Sequence, residues 1–373
     1  MIRKSPYHDR FVAHGAQFID RLGFAAPAVF SSTEEEHLAT RNAVGLYDVY
    51  YQVGIEVAGA DAEAVLQDAA VGDLARLPVS RVVYTSLCND KGGMIDDLTC
   101  FRMAPDRFCL YPTPARVDAA VQAVVDQIKG RHAVVTNLGY KRAYLSVQGP
   151  RSRELLQSLT KTDLSAAALP YFSLTEGTVA DVPGTIISRT GYSGELGYEL
   201  FYPSEYAHHL YDTVMEAGRP LGARPCGLGA LRIVRMEKKY PLYGLDVDET
   251  TTPVEAGLGW TVRLDKKAGY RGRDVIQKQK KEGAGRQLVL LAIEGDVLPA
   301  RGDAIVVANE TVGTITSAER GHFVRRPLAL GYVETRVARN DQTVSVAMAS
   351  GSSVSATVMT QAIYDPAGKH VRS

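Results

Sequence analysis

The pattern of apolar residues changes near Lys267 of the 373-residue chain. Before that point, helix-like and strand-like patterns alternate, as in a mixed α+β body. After one predicted helix over residues 273–282, five short stretches alternate apolar and polar residues between Gly, Asn and Asp: 287–292, 312–316, 328–333, 344–348 and 354–359. Alternation with a period of two over so many short stretches predicts a small all-β terminal domain on an α+β body.

Two local signals in the first part of the chain predict particular elements. Thr33–Glu36 has the form of a capping box, so we expect a helix over residues 37–44 that Gly45 ends. Residues 81–102 predict two strands joined by a turn at Asn89–Gly93. The hairpin matters most for function, because it carries a pair of adjacent carboxylates.

Composition and missing motifs exclude several classes of protein. The 42 basic side chains equal the 42 acidic ones, which argues against a dedicated nucleic-acid or anionic-membrane binder. No apolar run approaches the ~18 residues of a membrane span, and the four cysteines have no zinc-site spacing. There is no phosphate-binding loop, no zinc-protease motif and no nucleophile elbow. We therefore expect a cytoplasmic protein with reduced, half-buried thiols, no metal, and no membrane or nucleic-acid partner.

Asp96 and Asp97 follow the turn of the predicted hairpin. Neighbouring side chains of a strand point to opposite faces, so the two carboxylates cannot both enter one site. One of them is expected to have a structural role or to face water. The alternative is that both only protect a strand edge or bond to the amides of the turn.

Residues 188–199 combine three glycines at three-residue spacing with two tyrosines and two glutamates. Glycines allow a flat ligand to approach the backbone, aromatic faces stack on it, and a carboxylate accepts two hydrogen bonds from a guanidine-like edge. This set suits a pterin or a purine. A glycine-rich turn that only shapes the backbone is the alternative.

Seven motifs together resemble the aminomethyltransferase (T-protein) of the glycine cleavage system, and they occur in the same order: Val44–Asp48, Asn89–Asp97, Val147–Pro150, Ser188–Glu195, Gly227–Ala230, Leu242–Glu249 and Thr252–Glu255. The resemblance implies a three-domain cloverleaf that binds tetrahydrofolate in a central channel. It assigns residues 1–50 with 140–266 to a folate-binding α+β domain, 51–139 to a second α+β domain, and 267–373 to a β-barrel-like domain. Residues 230–238 and 272–274 also resemble the folate domains of dimethylglycine and sarcosine dehydrogenases.

The resemblance also implies the site residues. Asp97 matches the family's catalytic carboxylate beside N5 of the folate. The resemblance matches four residues to cofactor-binding positions of the family: Tyr84, Phe172, Tyr192 and Glu199. Two family asparagines align with Thr113 and Arg116, and of these Thr113 is also a candidate for cofactor binding. Glu199 would hold the 2-amino-4-oxo edge of the pterin. Arg232 and Arg235 are candidates for the anionic folate tail, with surface ion pairing as the alternative.

The chain departs from the T-protein where the one-carbon donor is expected. The family's Asp-Val-Ser-His-Met is here Asp48-Val-Tyr-Tyr-Gln52, so Tyr50, Tyr51 and Gln52 are candidates for donor recognition, with core or rim packing as the alternative. We therefore expect a tetrahydrofolate-dependent transferase of the demethylase type. It would move a methyl or methylene group from an N-, O- or S-methylated small molecule to N5.

Two other functions stay open at this stage. One is an authentic aminomethyltransferase that acts on an aminomethyl-lipoyl carrier protein. The other is a non-catalytic folate-binding accessory protein of the iron–sulfur assembly type, whose characteristic cysteine segment is absent from Lys267–Gly272. The carboxylates Asp246, Asp248 and Glu249 lack the spacing of a calcium loop and are expected to line a structured loop without a metal.

Overall fold

The computed structural model describes residues 2–373, and its first element is a small N-terminal layer. Three strands, β1 (Arg3–Lys4), β2 (Gln17–Arg21) and β3 (Phe24–Val29), form a sheet in the order β1-β3-β2. Helix α1 (His8–Ala13) follows β1, and its Phe11 is buried in the core of the neighbouring sheet. This layer was not predicted, because its strands are short and largely exposed on one side.

A six-stranded mixed sheet forms the largest layer, in the order β11-β12-β13-β10-β4-β14. Its strands are β4 (Val44–Asp48), β10 (Arg142–Gln148), β11 (Leu174–Val179), β12 (Val182–Ser188), β13 (Gly197–Pro203) and β14 (Ala223–Cys226). The helices of this part are α2 (Thr33–Asn42), α5 (Ser152–Gln157), α6 (Ala207–Gly218) and α7 (Leu228–Glu237). Strands β10 and β13 are antiparallel and pair Ser146 with Glu199, which places Glu199 in the middle of the sheet.

A five-stranded sheet carries the predicted hairpin, in the order β6-β7-β8-β5-β9. Its strands are β5 (Ile55–Ala58), β6 (Val82–Cys88), β7 (Met94–Ala104), β8 (Arg107–Tyr111) and β9 (Val134–Asn137), with helices α3 (Ala62–Ala69) and α4 (Val117–Val125). The side chain of Asn89 closes the turn by accepting the N–H groups of Lys91 and Gly93, both at 3.0 Å. The hairpin and its turn are therefore confirmed.

The C-terminal strands close into a six-stranded barrel, in the order β15-β18-β17-β16-β19-β20. They are β15 (Arg286–Ile293), β16 (Ala304–Val307), β17 (Glu310–Gly321), β18 (Arg326–Glu334), β19 (Thr343–Ala347) and β20 (Ser353–Met359), flanked by α8 (Arg273–Glu282) and α9 (Lys369–Arg372). The α+β class with a terminal all-β domain is confirmed. Strand β16 was missed because only four residues of it alternate. Each large sheet lies within one predicted domain range, whereas the boundaries themselves stay a prediction.

The first predicted helix was wrong at both ends. Helix α2 begins at Thr33 because the Ser32 side chain accepts the N–H of Glu35, and Val44–Asp48 is strand β4. Glu36 does not act in a capping box, since its buried carboxylate accepts the N–H groups of Phe30 and Gly227. Burial of β4 between two strands overrides the helical pattern of the residues before it.

Burial and length settle two smaller points. The four cysteines are free, and all are buried rather than half-buried. Among residues 2–373 no helix has the length and apolar character needed to cross a membrane.

Candidate functional site

Asp97 lies on β7 and is held from β6. The Tyr84 hydroxyl donates to Asp97 Oδ2 at 2.5 Å, whereas Oδ1 is shielded from solvent and has no hydrogen-bond partner among residues 2–373. Burial raises the pKa of the Asp97 carboxyl, and the bond from Tyr84 lowers it in part. The half-buried carboxylate therefore keeps one oxygen free for a ligand donor.

Asp96 points the other way, as strand alternation requires. Its side chain is fully buried, and its Oδ2 accepts the backbone N–H of Thr113 at 2.8 Å. Burial, followed by the charge of Asp97, raises the pKa of this carboxyl well above its usual range. Asp96 thus fixes the loop after β8, and Thr113 takes part through its backbone amide.

Aromatic rings continue from the hairpin toward β12 and β13. Tyr192 lies near enough to Asp97 that the carboxylate, after burial, raises the pKa of its hydroxyl, and that hydroxyl donates to Pro241 O at 2.5 Å. Its ring stacks on Tyr240, with centroids 5.7 Å apart and planes at 29°. Tyr240 in turn lies against Tyr171. The structure therefore brings Tyr84, Asp97 and Tyr192 together.

Phe172 is held in an unusual conformation. Its φ is +60°, a region that costs a non-glycine residue about 1–3 kcal/mol. Backbone bonds hold it on both sides, because its N–H donates to Arg189 O and its carbonyl accepts the N–H of Val82. Its ring packs edge-on against Tyr171, with centroids 4.5 Å apart. The strained residue thus ties the strand that carries Tyr84 to the sheet that carries Glu199.

Glu199 faces the same region from β13. The Thr190 hydroxyl donates to its Oε2, and Tyr144 also bonds to the carboxyl. Burial raises the pKa of Glu199, and these two bonds lower it in part. Tyr144 belongs to a packed aromatic cluster with Phe101, Tyr111 and Phe201 that buries this end of the site.

The glycines of residues 188–199 have a different role from the one predicted. A side-chain carbon at Gly191 or Gly197 would lie within 2.1 or 2.2 Å of Gln148 Oε1. Gln148 is buried, donates to Thr190 O at 3.2 Å, and accepts the Ser193 hydroxyl at 2.6 Å. The interpretation that these glycines admit a flat ligand was wrong for Gly191 and Gly197, because a side chain of the protein fills the space.

The arginine candidates are not brought to Asp97. Arg232 is an exposed residue whose guanidinium pairs with Glu319 of the barrel at 2.7 Å. Arg235 is fully buried and pairs with Asp246 at 2.5 Å, so surface pairing was the wrong alternative for it. Arg116 donates to Ile95 O at 2.9 Å and pairs with Glu249. All three guanidinium groups are paired with carboxylates of the protein. The contacts of Arg232 therefore give no support for a role in binding the folate tail.

The donor candidates differ among themselves. The Tyr50 hydroxyl donates to Tyr140 O at 2.9 Å, and Gln52 Nε2 donates to Pro112 O at 3.2 Å. Both side chains therefore support backbone, which is the packing alternative. The hydroxyl of Tyr51 has no hydrogen bond to residues 2–373, and burial raises its pKa to about 12. Of the three, only Tyr51 makes no side-chain hydrogen bond to residues 2–373.

One residue beside the site was missed. Trp260, the single tryptophan of the chain, is 60% exposed, and its indole lies 6.0 Å from the ring of Tyr84 with 32° between the planes. The sequence signal that could have identified Trp260 is composition, because it is the single tryptophan of the chain and lies in an apolar segment outside the predicted strands. Its position beside Tyr84 depends on a contact between residues far apart in the chain.

Comparisons with known proteins agree along nearly the whole chain. Residues 7–266 match the family described as the GCVT N-terminal domain, and residues 286–365 match the glycine cleavage T-protein C-terminal barrel domain. The aminomethyltransferase of Caldanaerobacter subterraneus is 34% identical over 92% of this chain and 91% of its own length. That of Anoxybacillus flavithermus is 35% identical over 93% and 94%.

A solved structure gives the same result for the fold. The glycine cleavage system aminomethyltransferase T from Bartonella henselae superposes with a TM-score of 0.89 and is 26% identical. The match covers 98% of this chain and 99% of that one. The likeness therefore includes the barrel as well as the two sheets that surround Asp97.

Proposed function

The chain belongs to the glycine cleavage T-protein family of tetrahydrofolate-dependent transferases, and we propose that it is an aminomethyltransferase. In this reaction the methylene carbon leaves the sulfur of an aminomethyl-lipoyl carrier for tetrahydrofolate, and ammonia is released. The relatives named aminomethyltransferase support this donor over a methylated small molecule. The comparisons thus favour the first alternative from the sequence over the demethylase expectation.

One observation carries the proposal, the free oxygen of Asp97. A buried polar atom without a partner is costly, and it persists where a ligand completes its hydrogen bonding. Asp97 Oδ1 is such an atom in a half-buried side chain, and Tyr84 holds the other oxygen in place; Asp96 Oδ1 also lacks a partner, but its side chain has no exposed surface for a ligand to reach. The site therefore fits a ligand that presents an N–H or N–H⁺ group, as the reduced pterin of tetrahydrofolate does.

The remaining site residues fit the flat part of that substrate. Glu199 offers a half-buried carboxylate to a two-donor edge, and Thr190 fixes its orientation. The rings of Tyr192 and Phe172 offer apolar surface at the same site. Tetrahydrofolate would supply the nucleophilic nitrogen that receives the carbon.

The residues of the chain have three tasks in this mechanism. Tyr84 and the strand pairing of β6 with β7 orient Asp97. Burial raises the pKa of Asp97, which makes its carboxylate a stronger base, and the unpartnered Oδ1 is the atom that would accept the proton. The aromatic cluster around Tyr144 excludes water from this end, which strengthens the electrostatic effect of the carboxylate.

A demethylase-type transferase is the second candidate, supported by one observation. Tyr51 replaces a smaller family residue and keeps its hydroxyl free of protein partners. A methylated small molecule could use that hydroxyl. The other two donor candidates, Tyr50 and Gln52, bond to backbone, so Tyr51 alone supports the demethylase candidate.

The product of the reaction decides between the two. The protein is incubated with tetrahydrofolate and either an aminomethyl-lipoylated carrier protein or a panel of methylated amines, ethers and sulfonium compounds. Methylene-tetrahydrofolate with ammonia from the carrier supports the proposal. Methyl-tetrahydrofolate from a small donor overturns it in favour of the second candidate, and no folate product from any donor overturns both.

A further inference from the structure

Strand β17 of the barrel carries a bulge. In the pairing of β17 with β18, the register shifts between Ile315 and Ser317, so Thr316 is an extra residue between two paired ones. Successive side chains of a regular strand point to opposite faces, whereas a bulge can aim two neighbours to the same side. The hydroxyls of Thr316 and Ser317 can therefore reach one acceptor.

That acceptor is the carboxylate of Asp246, whose side chain is fully buried. Thr316 Oγ1 donates to Asp246 Oδ1 at 2.5 Å, and Ser317 Oγ donates to the same atom at 2.6 Å. Tyr332 of β18 adds a third bond, because its hydroxyl donates to the backbone carbonyl of Asp246 at 2.9 Å. Two strands of the barrel thus hold one residue of the loop that follows α7.

The other oxygen of Asp246 fixes residues 240–242 of that loop. Asp246 Oδ2 accepts the backbone N–H of Leu242 at 2.9 Å and Nη1 of Arg235 at 2.5 Å. The same Arg235 nitrogen also donates to Tyr240 O at 3.2 Å. Donors from the barrel, from α7 and from the loop therefore meet on one buried carboxylate. A buried polar group that is bonded at both oxygens holds its partners in a single arrangement.

Residues 240–242 support Tyr192, which belongs to the Asp97 site. The Tyr192 hydroxyl donates to Pro241 O at 2.5 Å, and its ring stacks on that of Tyr240, with centroids 5.7 Å apart. Both supports of this side chain thus come from the segment that Asp246 fixes. A series of direct contacts therefore connects the barrel to an aromatic ring of the site.

We propose that Asp246 is a positioning residue, through which the barrel sets the place of the Tyr192 ring beside Asp97. Its consequence for the reaction rests on the proposed function, because Tyr192 is expected to contact the pterin of tetrahydrofolate. The alternative is that Asp246 only joins the barrel to α7. Its bonds to the barrel would then affect stability and leave the Tyr192 ring where it is.

A label at position 192 tests the positioning in the absence of any ligand. Fluorotyrosine replaces Tyr192 in the full chain, and its fluorine NMR resonance reports the surroundings of the ring. Thr316→Val removes one hydroxyl bond to Asp246 with little change of shape, and Tyr332→Phe removes another. We expect each variant to shift the resonance. The two variants act on different atoms of Asp246, so either one tests the inference if the other does not fold.

Two matched controls show whether such a shift is specific. Thr343→Val changes an exposed threonine of β19 in the same barrel. Tyr211→Phe removes a buried hydroxyl that has no hydrogen-bond partner among residues 2–373. Both controls should leave the resonance at position 192 unchanged.

Binding and turnover measure the consequence for the reaction. Thr316→Val is expected to raise the Kd of tetrahydrofolate, measured by calorimetry, and its KM about fivefold, as for the loss of one hydrogen bond. The kcat should stay unchanged, because a misplaced ring weakens ground-state and transition-state binding alike. Thr316→Ser keeps the hydroxyl and should restore the wild-type values. In a Tyr192→Ala background no ring remains to be positioned, so Thr316→Val should leave the Kd unchanged.

The outcomes separate this inference from the function on which its consequence rests. A resonance at position 192 that stays in place in both barrel variants overturns the inference, and so does an equal shift in the controls. An effect of Thr316→Val on the Kd that is as large in the Tyr192→Ala background also overturns it. If the wild type does not bind tetrahydrofolate, the proposed function fails, whereas the fluorine resonances still decide the positioning.

Discussion

The hairpin β6–β7 and the helix α7 each carry two like-charged side chains that the sequence made candidates. On the hairpin, Asp96 Oδ2 accepts a backbone amide and Asp97 Oδ2 accepts the Tyr84 hydroxyl, while the Oδ1 atom of each carboxylate is buried without a partner; the Asp96 side chain is fully buried, whereas that of Asp97 is half-buried. On the helix, both Arg232 and Arg235 are paired with carboxylates, one on the surface and one in the interior. Both segments match family motifs, but the two arginines of the helix are paired with carboxylates of the protein, whereas the half-buried Asp97 of the hairpin has no cation partner and accepts only the Tyr84 hydroxyl.

A segment can match a family motif either because its side chains join parts of the fold or because they take part in the reaction. The charges of α7 join the helix to the barrel, since Glu319 and Ser317 lie on β17 and Asp246 bonds to both Arg235 and Ser317. On the hairpin, Asp96 fixes the loop after β8, and Asp97 is the carboxylate that we propose takes part in the reaction. The predictions below test whether the hairpin is the reactive segment and α7 the structural one.

Asp97→Asn tests the reactive carboxylate and should have the largest effect. Losing a general base costs about 10²–10⁴-fold in kcat, as measured by the rate of folate product formation. The matched control is Asp90→Asn, which removes an exposed charge from the turn of the same hairpin. Wild-type turnover in Asp97→Asn would show that the carboxylate is not the base.

The same variant changes how stability depends on pH. Burial raises the folded-state pKa of Asp97 above its unfolded value near 3.8, so in the window above 3.8 the folded state holds a proton that the unfolded state has released. Wild-type stability therefore falls as pH rises through this window, and Asp97→Asn should fall less steeply. Urea unfolding at several pH values measures both slopes, and equal slopes would contradict the raised pKa.

Arg235→Met tests the structural side. It leaves Asp246 buried without its counter-ion, which costs about 3–5 kcal/mol in the free energy of unfolding. Urea denaturation measures the loss. A loss below about 1 kcal/mol, as for a surface pair, would mean that Thr316 and Ser317 satisfy Asp246 without the arginine.

Tyr84→Phe refines the role of the hairpin. The Tyr84 hydroxyl lowers the pKa of Asp97 by donating to it, so its removal raises that pKa further. The acidic limb of the kcat/KM profile should move to higher pH. Tyr243→Phe, which removes a hydroxyl that donates to Met94 O instead, is the control. An acidic limb that stays at its wild-type pH would show that a group other than Asp97 gives rise to it.

Arg232→Met should have the smallest effect. An exposed ion pair contributes about 0–1 kcal/mol, and the KM for tetrahydrofolate should stay unchanged because Arg232 is paired with Glu319. Thermal unfolding and the KM are measured together. A tenfold rise in the KM would restore Arg232 as a ligand for the tail and make α7 part of the binding site.

Much of the fold followed from local patterns. The hairpin with its Asn89–Gly93 turn, the helix at Arg273–Glu282 and five of the six barrel strands were predicted, because periodicity and turn residues act over a few positions. Family motifs identified Asp97, Tyr84, Tyr192 and Glu199 as candidates, and their roles stay predictions. The helix before β4 was wrong because burial between neighbouring strands outweighed its local pattern.

By itself, the sequence determined the class of fold, the family and the opposite orientation of Asp96 and Asp97. Only the tertiary structure decided which polar groups are satisfied. Gln148 fills the space of Gly191 and Gly197, Glu319 pairs with Arg232, and Trp260 stays exposed beside Tyr84. Satisfaction of a charge or a hydrogen bond depends on partners that are distant in the chain, and no local pattern specifies them.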